Sequence, residues 1–181
     1  MANKKHYIIT SITLGIIAAS SALLIGLTHV LTKDQIAKNE ENKVNAGIQK
    51  IYGDSAYIFE KETAKKAGLE GSYLNYVYTV KNDADAQLGY AFRTTGSNTY
   101  GKISLIIGFD EVSHGFKGLS IVVNEQTYAS TLVKNYADPL NDGDISPDDV
   151  SCGATYGATL INKMINQASE AALKLWGIGN E

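Results

Sequence analysis

The stretch Lys102-Ile-Ser-Leu-Ile-Ile-Gly-Phe-Asp110, followed by Phe116-Lys-Gly-Leu-Ser-Ile-Val-Val-Asn124, decides the fold of this chain. Both runs are rich in apolar and β-branched residues, and the short polar stretch 111–115 separates them. Two such runs joined by a few residues that include glycine are typical of a β-hairpin. We therefore predict that these two runs form an antiparallel pair of strands.

Three further strands are predicted on the N-terminal side of this hairpin, because aromatic and β-branched residues again alternate with turn residues. They cover residues 56–61, 73–81 and 87–94. The Gly/Ser/Asn-rich stretch 95–101 has the composition of a loop, and we predict one there.

Helices are predicted on the C-terminal side of the hairpin, a short one at residues 125–136 and a long one at 156–175. The long one has apolar residues at helical spacing along one face. The acidic segment 137–149 contains both prolines and is predicted to be an exposed loop. Strands in succession flanked by helices predict an α+β domain with a largely antiparallel sheet.

The N-terminal part of the chain has the composition of a transmembrane helix. Residues 7–32 contain no Asp, Glu, Lys or Arg, and about 20 apolar residues suffice to cross a bilayer as a helix. Lys4 and Lys5 precede this run, while Lys33 and Asp34 follow it and cancel. The positive-inside rule predicts that residues 1–6 are cytoplasmic and that the rest of the chain after the helix is extracytoplasmic.

A cleaved signal peptide is the alternative interpretation of this run, because the small residues 18–22 would suit a processing site. The apolar run is longer than the roughly 7–15 residues of a signal h-region. We therefore expect a single-pass anchor in the lipid bilayer of the cell membrane. A helical stalk, residues 33–53, would follow it with Ala37, Val44, Ile48 and Ile51 on one stripe, and the extracytoplasmic domain would comprise residues 54–181.

The composition excludes several classes of protein. The chain has 181 residues, a formal charge of −3 and 44% hydrophobic residues, which favours neither disorder nor nucleic-acid binding. One cysteine excludes a disulfide framework, and the three histidines are too far apart in sequence to indicate a metal cluster. No Ser–His–Asp pattern or pair of catalytic carboxylates emerges, so no catalytic residue is predicted.

The segment Asp149-Val-Ser-Cys-Gly-Ala-Thr155 is the main candidate for a functional site. Cys152, Gly153 and Ala154 are small, so a bulky ligand could approach the backbone there. Thr155 opens the predicted last helix, whose first N–H groups favour an anion such as phosphate. An alternative is a plain helix start that Ser151 caps, with the small residues serving only to turn the chain.

This segment resembles the attachment motif of the FMN-binding domain family, which includes flavin-carrying subunits of the Rnf complex and of the sodium-pumping NADH:quinone oxidoreductase. The family motif is an aspartate, two variable residues, Ser or Thr, then Gly-Ala-Thr, and here Cys152 stands at the Ser/Thr position. The resemblance implies that FMN is bound covalently to Thr155 through a phosphoester. Thr159 also ends a Gly-Ala-Thr, but the residue six positions before it is Gly153 and not an acid.

The resemblance further implies a maturation partner, a flavin transferase that uses FAD and magnesium and recognises Asp149, Gly153 and Ala154. Besides Thr155, it implies FMN contacts from two stretches of the chain. The residues are Ser151, Cys152, Gly153, Ala154 and Tyr156 in the motif, and Glu125 and Thr127 after the predicted strand 116–124. A polar helix start capped by Asn124 is the alternative for the second stretch.

The function implied by the resemblance is an electron relay in an Rnf-type ion-translocating complex, with membrane redox subunits as partners. A freestanding anchored flavoprotein is the alternative within redox chemistry. A different alternative is a non-redox surface domain that binds calcium or another ligand, because residues 138–149 have acids at positions one, five and twelve of a calcium loop.

Overall fold

A computed structural model describes residues 2–178, with side chains described for residues 7–178. The chain divides into two compact units, Met1–Asn42 and Lys43–Glu181. The second unit begins within the predicted stalk. The fold is α+β, as the sequence predicts, with one long N-terminal helix and a five-stranded antiparallel sheet.

Helix α1 covers Ala2–Tyr52 without a break and includes both the predicted membrane segment and the predicted stalk. Its most apolar 18-residue window has a mean hydropathy of 2.2, so the helix is long and apolar enough to cross a membrane. Hydroxyl groups on this helix donate to carbonyls four residues earlier, which satisfies them without water. These residues are Thr13, Ser20, Ser21, Thr28 and Thr32.

The sheet is a meander in which each strand pairs with the next one along the chain. The strands are β1 (Tyr57–Thr63), β2 (Leu74–Lys81), β3 (Gln87–Asn98), β4 (Gly101–Asp110) and β5 (Phe116–Asn124). The predicted hairpin is confirmed, because β4 pairs with β5 from Ile103 opposite Asn124 to Phe109 opposite Phe116. Strand β5 is at the edge of the sheet.

Four helical segments of the C-terminal half follow the sheet. They are α2 (Ala129–Leu132), a π-helical turn (Val133–Ala137), α3 (Asp138–Asp142) and α4 (Thr155–Leu175). The apolar face predicted for the last helix is confirmed, since Leu160, Ile161, Met164 and Ile165 are all buried.

Helices cover both faces of the sheet, because strand residues on both sides are apolar. Every residue of β4 from 103 to 109 is buried. In a sheet with one face in water, buried and exposed residues would alternate along the strand instead. Leu105 and Ile107 belong to the core shared with α4, whereas Ile106 packs with Val44 and Ile48 from the end of α1. In the predicted stripe on α1, Val44 and Ile48 are therefore buried and Ile51 is partly buried, while Ala37 is exposed.

The prediction of a loop at residues 95–101 is wrong. Strand β3 continues to Asn98, which pairs with Gly101, and only Thr99 and Tyr100 form the turn. The strand can contain a glycine at residue 96 because α4 packs closely against it: a Cβ atom at Gly96 would lie 2.5 Å from Cε of Met164.

The predicted exposed loop at residues 137–149 is also partly wrong. Its first part is α3, which has Pro139 in its first turn, where the missing N–H costs nothing. Leu140 is buried in the core, and Gly143 ends the helix with a φ of +79°. The short helix predicted at 125–136 starts later, at Ala129, and continues as the π-helical turn.

Candidate functional site

A cleft of about 360 Å³ lies at the end of the sheet where the β3–β4 turn meets the start of α4. This volume is within the range of about 300–1,000 Å³ typical of small-molecule sites. Its walls come from the turn, the segment after β5, helix α2 and the motif. The lining residues are Tyr100, Gln126, Tyr128, Leu132, Gly153, Ala154, Thr155, Tyr156 and Gly157.

Three tyrosines form an aromatic wall of the cleft. The ring centroid of Tyr100 lies 5.2 Å from that of Tyr156 and 6.3 Å from that of Tyr128. The three side chains remain 38%, 69% and 56% exposed, in the order Tyr100, Tyr156 and Tyr128. Aromatic rings at a solvent boundary present flat apolar surface on which a planar ligand can stack.

The inner surface of the cleft is formed by Leu132, Gln126 and Gly157. Leu132 is fully buried, and Gln126 is only 7% exposed. The side-chain Nε2 of Gln126 donates a short hydrogen bond to the carbonyl of Gly101. A Cβ atom at position 157 would lie 2.8 Å from Cδ2 of Leu132, so glycine is the residue that lets the helix start approach this surface.

Helix α4 begins at Thr155 without a side-chain cap. Its N-cap residue is Ala154, and no side chain bonds to the first-turn N–H groups, so the interpretation in which Ser151 caps the helix is wrong. Gly153 has a φ of +79°, a conformation that favours glycine and that turns the chain into the helix.

The first-turn amides of α4 suit an anion. The N–H groups of Gly157 and Ala158 bond to the carbonyl of Ala154, so the helix itself leaves those of Thr155 and Tyr156 unused. Such unused amides at the positive end of a helix dipole are favourable partners for a phosphate.

The two candidate threonines differ in what their hydroxyl groups do. Thr155 is exposed and lines the cleft. Thr159 is half-buried, and its hydroxyl donates to the carbonyl of Thr155 at 2.8 Å. Of the two, the Thr155 side chain is therefore better placed to contact a ligand in the cleft.

The rest of the motif forms a tight loop beside the cleft. The Asp149 carboxylate accepts a hydrogen bond from the N–H of Ser146 at 2.9 Å. The carbonyl of Cys152 accepts one from the side chain of Asn135 at 3.0 Å. The hydroxyl of Tyr136 donates to the carbonyl of Pro147, and burial raises the pKa of this phenol. These contacts hold the loop against the π-helical turn.

The structure brings together four of the residues singled out in the sequence, Gly153, Ala154, Thr155 and Tyr156. Asp149, Ser151 and Cys152 do not line the cleft, and neither do Glu125 and Thr127.

The second predicted stretch does not begin a helix capped by Asn124, which was the alternative interpretation. Asn124 accepts a hydrogen bond from the N–H of Gln126 at 3.2 Å, and α2 begins only at Ala129, so Asn124 is not a helix cap. Glu125 and Thr127 are exposed, and the residue between them is the one that reaches the cleft.

Sequence reasoning missed Tyr100, Gln126, Leu132 and Gly157 as lining residues. Tyr100 lay in a stretch assigned to a loop, and its position depends on how β3 and β4 pair. The sequence does contain a signal for Gly157, because a glycine near the start of an otherwise good helix often marks a point where another part of the chain or a ligand lies close to the helix backbone.

The acidic segment lacks the form of a calcium loop, since residues 138–142 are helical. Among the side chains of residues 7–178, no group of three or more His, Cys, Asp and Glu is placed to hold a metal ion.

Residues 1–51 match the family model described as the RnfG N-terminal region. The N-terminal region of this chain resembles that of RnfG. From residue 2 onward the matched segment lies within α1, whose apolar stretch fits a single-pass membrane anchor, and it ends before β1 and the cleft. No curated protein sequence matches the chain.

Proposed function

We propose that this chain is a membrane-anchored flavoprotein that carries FMN on Thr155 and relays electrons as the RnfG-type subunit of an Rnf-type complex. The observation that carries the proposal is the exposed Thr155 hydroxyl in an aromatic cleft at an uncapped helix start. The match of residues 1–51 to the RnfG N-terminal region supports the place in the complex.

The residues of the cleft fit the chemistry of FMN. Tyr100, Tyr128 and Tyr156 offer stacking surface for a planar ring. The unused amides of Thr155 and Tyr156 suit a phosphate, and Gly153 leaves space beside it. FMN, when bound, would supply the electron transfer itself, and the protein supplies binding, orientation and electrostatics.

Attachment needs a second enzyme, because a threonine hydroxyl is a weak nucleophile at neutral pH. In the proposed step, Oγ1 of Thr155 loses its proton and forms a bond to the FMN phosphorus of FAD. The bond between that phosphorus and the bridging oxygen breaks, and AMP leaves. A flavin transferase acting with magnesium would provide the base and the metal.

The proposed location follows from α1. Lys4 and Lys5 favour a cytoplasmic N-terminus, which would put Thr155 on the outer side of the cell membrane. Covalent attachment retains a cofactor that would otherwise diffuse away there. In that position the chain would pass electrons between membrane redox subunits, with ion transport coupled elsewhere in the complex. A freestanding anchored flavoprotein is the remaining redox alternative.

The test is co-expression of the full chain with a flavin transferase, followed by a denaturing gel and intact-mass measurement. We expect a fluorescent band whose mass exceeds that of the polypeptide by one esterified FMN. A non-fluorescent band with the bare polypeptide mass would refute covalent flavin.

Two matched variants locate the attachment. Thr155→Ala should abolish the fluorescent band, whereas Thr159→Ala should retain it, because the Thr159 hydroxyl is already bonded to the carbonyl of Thr155. The reverse result would assign the flavin to Thr159. Binding of the labelled chain to other membrane subunits, tested by co-purification, would separate the complex subunit from a freestanding carrier.

A further inference from the structure

Gln126 is an unusual residue for the inner surface of the cleft. It is 7% exposed. Among residues 7–178 the other buried polar residues, Thr94 and Ser104, have single hydroxyl groups that are bonded to protein atoms. Gln126 has two polar side-chain atoms, of which Nε2 donates to the carbonyl of Gly101. This bond fixes the orientation of the amide, since the opposite orientation would place two carbonyl oxygens face to face.

The second polar atom, Oε1, therefore points elsewhere. No donor among residues 7–178 gives it a hydrogen bond, and Gln126 lines the cleft. Oε1 lies 3.4 Å from the position that a Cβ atom at residue 157 would occupy, which places it next to the start of α4. Gln126 as a residue is largely buried, and its Oε1 has no protein donor, so a ligand in the cleft that brings an N–H group would find a free acceptor here.

We propose that Oε1 of Gln126 accepts a hydrogen bond from the imide N–H of the flavin ring. This inference rests on the proposed function. The oxidised flavin ring has a single N–H donor, at N3 between two carbonyl groups, whereas its dimethylbenzene edge has no donor. The phosphate has only acceptor oxygens at the charge state of a diester, and Oε1 would repel it. Gln126 is thus a positioning residue that selects which edge of the ring enters the cleft.

The glycine opposite Gln126 supports this assignment. A side chain at residue 157 would fill the space between Oε1 and Leu132, since its Cβ atom would come within 2.8 Å of the leucine and 3.4 Å of Oε1. Gly157 therefore keeps the acceptor open to the cleft.

The test is the exchange of the N3 proton with water, measured by NMR on the full chain in detergent. The chain is co-expressed with the transferase in cells that cannot make riboflavin and are supplied with ¹⁵N-labelled riboflavin. We expect N3–H exchange in the wild-type chain to be slower than in free FMN, and about tenfold faster in Gln126→Met than in wild type, as loss of one hydrogen bond of about 1.4 kcal/mol would give.

A matched control uses a second glutamine. The Gln167 side chain accepts a hydrogen bond from the N–H of Tyr73 at 2.8 Å and does not line the cleft. Gln167→Met should leave N3–H exchange at the wild-type rate even if it lowers the thermal stability. If Gln126 served only to stabilise the fold, Gln126→Met would lower the thermal stability without changing the rate of N3–H exchange.

The possible failures are distinguishable. Wild-type exchange as fast as that of free FMN would overturn the role of Gln126, and this measurement needs no variant. Equal protection in wild type and Gln126→Met would overturn it as well, because another acceptor would then hold N3–H. A chain that carries no flavin after co-expression would instead refute the proposed function, and the inference with it.

Discussion

The hydroxyl oxygen of Tyr52 accepts a hydrogen bond from the backbone N–H of Phe109 at 3.0 Å. Its proton is shared with two carbonyls, that of Tyr90 at 2.8 Å and that of Phe109 at 2.9 Å. Tyr52 is the last residue of α1, and Gly108 leaves room for it, since a Cβ atom there would lie 3.0 Å from the hydroxyl. The end of α1 is thereby bonded to the interior of the sheet at β3 and β4.

Tyr52→Phe should destabilise the domain by about 1–3 kcal/mol, because the N–H of Phe109 then loses a buried acceptor. The measurement is thermal unfolding of the full chain in detergent, followed by circular dichroism. Tyr57→Phe is the matched control: the Tyr57 hydroxyl bonds only to the exposed Asp85 at the surface, and its loss should change little. Equal effects of the two substitutions would contradict this account.

The sequence predicts the elements whose stability is local, and the hairpin β4–β5 is the clearest example. Its strands were predicted to within one residue, because apolar, β-branched residues and a polar five-residue turn specify it without help from the rest of the chain. The end of β3 was missed for the opposite reason. Gly96 leaves room for Met164, which lies 68 residues later, and no local pattern reveals this close packing.

The residues of the candidate site also fall into two groups, those that the sequence indicates and those that only the fold brings to the cleft. Thr155 and Tyr156 lie in a motif that can be recognised in the sequence, and the structure places both at the cleft. Tyr100 and Gln126 reach the cleft only because the β3–β4 turn packs beside the segment after β5, where the N–H of Thr127 bonds to the carbonyl of Tyr100. Such convergence depends on tertiary contacts and has no sequence signal of its own.

Acid pH should weaken the hairpin β4–β5 through Asp110. The Lys117 ammonium, at 2.8 Å, and the N–H of Ser113, at 3.0 Å, hold the pKa of this carboxyl below its usual value. Because the folded-state pKa is lowered, the stabilisation is present above the unfolded-state pKa of about 3.9 and is lost as the pH falls through the folded-state pKa.

The change that tests this is Asp110→Asn. We expect the melting temperature of the variant to fall less than that of wild type between about pH 5 and pH 2, since the variant has no carboxylate to protonate there. Asp54→Asn, at an exposed turn, should follow the wild-type curve. Identical pH curves for wild type and Asp110→Asn would show that the Lys117–Asp110 contact contributes nothing to folding.

Gly101→Ala should be among the most damaging single substitutions in the domain. Gly101 has a φ of +133°, and a Cβ atom there would lie 2.1 Å from the carbonyl oxygen of Glu125. Backbone cannot move aside as a side chain can, so we expect a loss of about 2–4 kcal/mol in the free energy of unfolding.

The substitution should also lower the flavin content per chain, because the carbonyl of Gly101 holds the amide of Gln126. Thermal unfolding and in-gel fluorescence measure the two effects. Gly115→Ala is the control, since its nearest contact would be an ordinary 3.5 Å to the hydroxyl of Ser113. A Gly101→Ala chain as stable as Gly115→Ala would mean that the segment after β5 does not pack on Gly101 as described.

Cys152→Ser tests the residue at which the motif departs from its relatives. The side chain is half-buried, packs against the core shared with α4 and does not line the cleft. The loop is held through the carbonyl of Cys152, which accepts from Asn135 whatever the side chain is. We therefore expect the flavin content per chain, measured as fluorescence per mass of protein after co-expression, to stay at the wild-type value.

Ala154→Val provides the contrast, because its added methyl groups would enter the cleft beside Thr155 and should reduce flavin content. A marked gain of flavin in Cys152→Ser would show instead that the transferase reads the hydroxyl at this position, and that the thiol limits loading through recognition and not through the shape of the cleft.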